Sequence, residues 1–132
     1  VTTTTDIGSE VEAAVRISGG ATLSTVPGVS SPRAGYIVSL PGHECILHYP
    51  STDVSKAVRE FSLANKAVLA QPGKYLGAWV DKDLLYLDVS QHVAELGTAY
   101  ELGQRYHQLA IYDVSAGKDI RLENVQPFDV AA

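Results

Sequence analysis

The chain has 132 residues, 45% hydrophobic and 19% charged, which suits one globular domain with its own core and excludes a disordered polymer. Its single cysteine excludes an internal disulfide framework and any multi-cysteine zinc site. The net charge of −5 is uneven: residues 1–80 carry six acids and six bases, residues 81–132 nine acids against four bases. That leaves no basic stripe of the kind direct nucleic-acid binding uses, and the acidic excess is too small for a DNA mimic.

The start, "VTTTTDIGSE", has neither the basic flank nor the apolar run of a signal peptide. No apolar stretch approaches the roughly 20 residues of a membrane span. A cytoplasmic protein that contacts no membrane is therefore expected. Methionine is absent, Val1 reads as a literally translated GTG start, and alanine and valine number fifteen each against five lysines. That bias suits a GC-rich bacterial or phage genome.

Residues 1–33 are read as an N-terminal extension ahead of an α+β domain over 34–132. Ser9 and Glu12 form a capping box before "VEAAVRI", and Gly19-Gly20 would stop that short helix. "ATLSTV" has the composition of a brief strand, and "PGVSSPR" that of a turn-rich linker. From Ala34 a unit recurs, two short strands around a turn and then a helix. "GYIVSL" and "ECILHY" flank Pro41-Gly42, "YLGAWV" and "LLYLDV" flank residues 81–83, and "LAIYDV" and "DIRLEN" flank residues 115–118.

Between the first two pairs, Val54, Ala57, Val58, Phe61, Ala64 and Val68 recur at helical spacing. Thr52 or Asp53 would cap that helix, and Pro72-Gly73 would end it. Between the second and third pairs, Thr98 with Glu101 makes a capping box, and Leu96, Ala99, Tyr100, Gly103 and Tyr106 share a face. The order hairpin, helix, hairpin, helix, hairpin predicts a mostly antiparallel sheet with both helices on one face. If the first and last hairpins are single strands, the same string becomes a βαββαβ ferredoxin-like unit.

Two clusters resemble reactive sites. In "HECILH", strand alternation points His43 and Cys45 one way and His48 the other. The trio cannot close on one ion as zinc requires, and Cys45 reads as a small buried hydrophobe. Asp88, Ser90 and His92 are the parts of a nucleophilic triad, but alternate strand residues stand about 7 Å apart, and no G-x-S-x-G elbow accompanies them. They read as the wet end of an edge strand. Gly73-Lys74 lacks the rest of a P-loop, and residues 81–83 lack the carboxylate spacing of a calcium loop. No cofactor or metal is expected.

One feature survives. In "YLGAWV" and "LLYLDV", alternation puts Leu76, Ala78, Val80, Leu85, Leu87 and Val89 on the face the helices should take. The opposite face then carries Tyr75, Trp79 and Tyr86, with Tyr112 of "LAIYDV" in a comparable row. Tyr and Trp are enriched where proteins bind one another, unless residues 1–33 fold back over that face.

Residues 72–122, with "PGKYLGAWVDKDLLYLDVS" and "QLAIYDVSAGKDIRL", resemble small accessory proteins of actinobacteria and their phages or mobile elements. The recurring motifs, a Gly-x-Trp strand, a Leu-Asp-Val strand and a Tyr-Asp-Val end, are structural, and the resemblance implies an accessory gene without an assigned activity. The sequence thus points to a non-enzymatic module that binds a protein or assembles with itself. The alternative is a small enzyme with a non-standard site at His43, Cys45 and His48 or at Asp88, Ser90 and His92.

Overall fold

The computed structural model describes residues 6–124. Helices combine with an antiparallel sheet, the α+β class the sequence predicts. The described residues fall into two compact units, one of residues 6–31 and 43–89, the other of residues 32–42 and 90–124.

The first unit opens with helix α1 (Ile7–Ser18) and strand β1 (Gly20–Leu23). The cap of α1 is Asp6, three residues before the expected Ser9. Its carboxylate accepts from the Gly8 and Ser9 N–H groups at 2.8 and 3.3 Å, and the Ser9 hydroxyl donates to it at 3.0 Å. Ser9 is thereby drawn into the first turn. The Ser9 hydroxyl, helped by the two N–H groups and Arg59, holds the Asp6 carboxyl below its ordinary value. The capping contribution is therefore present above the ordinary carboxylate range and lost as pH falls through the lowered value. At the other end Gly19, in the left-handed region at φ 85°, donates to Val15 O and turns the chain into β1.

Strand β3 (Cys45–His48) leads through a single 3₁₀ turn to helix α2 (Val54–Ala64). Asp53 caps α2 by accepting from Lys56 N–H at 3.1 Å. Val54, Val58 and Phe61 are its buried stripe. The helix does not run on to Pro72 as its periodicity suggests. Asn65 leaves the helical region at φ −113°, ψ 23°, and its side-chain amide donates to the Phe61 carbonyl at 3.0 Å. A separate short helix, α3 (Lys66–Leu69), follows and buries Leu69 completely. Among the described residues, the buried Ser62 hydroxyl on α2 has no hydrogen-bond partner. Ser62→Ala is therefore expected to raise the unfolding free energy by about 1 kcal/mol, read from the urea midpoint.

Strands β4 (Lys74–Asp81) and β5 (Leu84–Val93) form the expected hairpin, with Lys82 at φ 58° in its turn. β5 contributes residues 84–89 to the first unit and 90–93 to the second. In the first unit β1 pairs antiparallel with β4 (Gly20 opposite Trp79), and β3 pairs antiparallel with β5 (Ile46 opposite Tyr86). The predicted aliphatic face is inside except at Val80, which is half-buried. Leu76, Leu85, Leu87 and Val89 are fully buried and Ala78 nearly so. Helix α1 packs on α2, β1 and β4, and α3 packs on β4.

In the second unit, strand β2 (Tyr36–Ser39) lies between residues 90–93 of β5 and strand β6 (Ala110–Asp113). β6 pairs in a true hairpin with β7 (Lys118–Arg121), so the ferredoxin-like alternative, which needs a single strand there, does not form. Helix α4 (Leu96–Arg105) packs on β2 and β6. It starts after Glu95 with no side-chain cap, and Thr98 of the expected capping box lies inside its first turn. Val38, Ala99, Ile111 and Leu122 form the core, flanked by Tyr36, Leu96, Tyr100 and Tyr106. Gly103 permits the close approach: a Cβ there would stand 2.8 Å from Leu122 Cδ1 and 3.2 Å from Ile111 Cγ2.

The predicted first hairpin is absent. β2 and β3 flank Pro41-Gly42 as expected, but β2 takes its partners from residues 90–93 of β5 and β3 from residues 84–87. A turn signal shows that the chain bends and says nothing about which strand it bends towards.

Candidate interaction surface

The β4–β5 turn sets the geometry of the aromatic face. With Lys82 and Asp83 between the strands, alternation brings Trp79 and Tyr86 to one side, opposite the buried aliphatic set. The two rings stack with centroids 3.9 Å apart and planes 5° from parallel. Trp79 nonetheless remains 41% exposed, so one indole face is sheltered by Tyr86 while the remainder meets solvent. Gly20 stands opposite Trp79 on β1 and adds no side chain beside it. On the other flank Ile46 stands opposite Tyr86 and is 49% exposed. An apolar row therefore crosses the first unit, Trp79 to Tyr86 to Ile46, on strands β4, β5 and β3.

Tyr75 lies on the same face of β4 and is half-buried. Tyr112 belongs to the second unit, on β6 opposite Asp119, and is 37% exposed. Ile46 is the member that sequence reasoning missed. Its alternation with Cys45 and Leu47 was visible, but its place beside Tyr86 depends on a register between β3 and β5 that no local pattern encodes.

Of the described part of residues 1–33, Gly20–Leu23 return as β1 at the side of β4, which leaves Trp79 open. Further along β5 the face is closed. Asp88 and Ser90 are 4% and 2% exposed, and β5 is an inner strand, with β4 on one side and β3 (at residues 84–87) and β2 (at residues 90–93) on the other. The reading of these residues as the wet end of an edge strand is therefore overturned, because β5 is an inner strand of the sheet and both side chains are buried. His92 is half-buried, with Nε2 2.7 Å from Ala34 O.

The histidines beside Cys45 have separate partners. His43 Nδ1 lies 2.7 Å from Asn65 Oδ1. Since the Asn65 amide already donates to Phe61 O, its oxygen accepts, and His43 donates from Nδ1. His48 Nδ1 lies 2.9 Å from Ser51 Oγ, and its Nε2 lies 3.7 Å from Asp83. Cys45 is half-buried rather than buried. Among the described residues no three His, Cys, Asp or Glu side chains come together in a way that could hold a metal ion. An open cleft beside α1 is lined by Glu12, Arg16, Tyr49 and Asp53. Its charged groups are already committed, Arg16 to Glu12 at 2.7 Å and Asp53 to the α2 cap.

No helix among the described residues is long and apolar enough to cross a membrane. No protein-family model, curated protein or solved structure matches the chain, and the apolar row is left to be read from its own chemistry.

Proposed function

We propose that this chain is a non-enzymatic interaction module whose contact surface is the Trp79–Tyr86–Ile46 row. The observation that carries the reading is an exposed Trp79 stacked on the half-buried Tyr86, with the exposed Ile46 beside them. Rigid aromatic anchors flanked by aliphatic surface dominate binding energy at protein interfaces, whereas a surface with no partner seldom groups them. Tyr75 and Tyr112 are proposed as further contact residues on the same compositional ground. The partner is a protein or a second copy of the chain, met in the cytoplasm. The resemblance of residues 72–122 supports an accessory role in a phage or mobile element.

The test is the double substitution Trp79→Ala with Tyr86→Ser. Truncating a large aromatic at an interface centre commonly costs about 2 kcal/mol or more, roughly thirtyfold in affinity. Assembly or capture of the partner should weaken by at least that factor, with the circular dichroism spectrum unchanged. Unchanged association in a folded double mutant would remove this surface from the function.

A further inference from the structure

Sheet edges offer unpaired backbone groups to any passing strand, and proteins usually blunt them. Among the described residues, β1 and β3 of the first unit each pair on one side only. Along β1, Val80 N–H donates to Gly19 O, which fixes the alternation and turns the backbone groups of Gly20 and Thr22 outward. Both carbonyls are capped, Gly20 O by the Ser18 hydroxyl at 3.2 Å and Thr22 O by the Ser31 hydroxyl at 2.6 Å. In the second unit the outer strand β7 carries Lys118, Asp119 and Arg121, all exposed, a charged edge of the kind that discourages pairing.

β3 has neither protection along its middle. Tyr49 N–H donates to Asp83 O at 2.8 Å, continuing the ladder to β5. Cys45 and Leu47 therefore direct their backbone groups towards β5, while those of Ile46 and His48 point away. His48 O is taken by the Thr52 hydroxyl at 2.6 Å. Among the described residues none bonds the N–H or C=O of Ile46. One outward donor and one outward acceptor sit on a residue whose apolar side chain ends the aromatic row.

We infer that a second copy of this chain adds to this edge, β3 against β3, antiparallel about a twofold axis at Ile46. Extending the proposed contact surface in this way rests on that reading of the row. At this register Ile46 of each copy donates to and accepts from Ile46 of the other. The exposed His48 then faces the exposed Glu44 of the other copy, acid against imidazole at both ends. Other registers break this complementarity or set Ile46 against His48. The apolar row then runs unbroken through both copies, from Trp79 to Trp79. A foreign strand can supply the hydrogen bonds but has no reason to match the Glu44–His48 pattern, whereas a second copy matches it by symmetry.

The test uses the full chain. Sedimentation should show a concentration-dependent dimer. Ile46→Pro removes an outward N–H and no bond to β5, so it should weaken the dimer at least about tenfold with circular dichroism retained. Independently, Leu47→Cys places a thiol opposite Cys45 of the second copy. The pair is a non-hydrogen-bonded one, with Cα atoms about 4.5 Å apart, within disulfide range. Mild oxidation should give a covalent dimer linked between positions 45 and 47, and adding Cys45→Ser should abolish it. That cross-link decides the matter if Ile46→Pro fails to fold. A monomer at all concentrations with no such link overturns the inference. So does a dimer that survives Ile46→Pro and shows no 45–47 link; if that dimer is lost on Trp79→Ala, the aromatic surface stands and the strand pairing falls. A cross-linked dimer indifferent to Trp79→Ala with Tyr86→Ser supports the strand pairing and removes the aromatic row from it.

Discussion

Leu87→Ala is expected to lower the unfolding free energy by about 3 kcal/mol, a shift readily seen in the urea midpoint. Leu87 is fully buried on β5, between the equally buried Leu85 and Val89 on the same strand. Removing its isobutyl group loses the transfer free energy and leaves a cavity that neighbouring strands, fixed by their ladders, cannot close. Against a total stability of about 5–15 kcal/mol, the loss is a large fraction. Ile46→Ala on the adjacent strand deletes a similar volume of side chain from an exposed position, and a surface change of this kind shifts stability by only about 0.5 kcal/mol. If the two substitutions proved equally costly in the monomer, the assignment of inner and outer faces of the sheet would be wrong.

Gly8→Val should be nearly as severe, at about 2–3 kcal/mol. Gly8 is buried in the first turn of α1, where a Cβ would stand 2.5 Å from the Ser55 carbonyl oxygen and 2.8 Å from its hydroxyl. The nearer atom is backbone of α2, so relief requires the two helices to separate. Valine has a better helix propensity than glycine by only about half a kcal/mol, too little to offset that clash. Gly19→Ala makes the contrasting control. Nothing lies within 4 Å of its Cβ, yet φ is +85°, so any loss there arises from backbone strain alone. Thermal unfolding of the two variants separates packing from conformation.

What was legible in the sequence was whatever depends on near neighbours. The Val54, Val58 and Phe61 stripe, the Asp53 cap and the Trp79–Tyr86 facing all follow from spacing along one element or across one short turn. The break at Asn65 was not legible, since an asparagine there is compatible with a helix until its amide takes the Phe61 carbonyl. The first capping box failed for a related reason. Ser9 and Asp6 both suit a cap, and the one that wins is the one whose carboxylate reaches Gly8 N–H. Non-local register was beyond local reading altogether. Nothing near Ile37 indicates that its partner is His92, or near Ile46 that it is Tyr86. The proposed contact surface was therefore half visible, its aromatic pair apparent and its isoleucine hidden.

The long strand β5 has a consequence for how the chain is made. β1 must wait for β4, and both β2 and β3 for β5, all of them encoded well downstream. As the polypeptide leaves the ribosome, its first half emerges with strands that have nothing to pair with. Only when residues 74–93 are clear of the exit tunnel do the templates for both units arrive, almost together. Helix α1 and helix α2 can form and meet before that moment, because their contacts lie within the nascent segment. The unpaired strands cannot, and topologies dominated by distant pairings fold slowly. Their stretches of Tyr-Ile-Val and Cys-Ile-Leu, like the Ala-Thr-Leu of β1, thus stay without a partner strand until residues 74–93 have emerged.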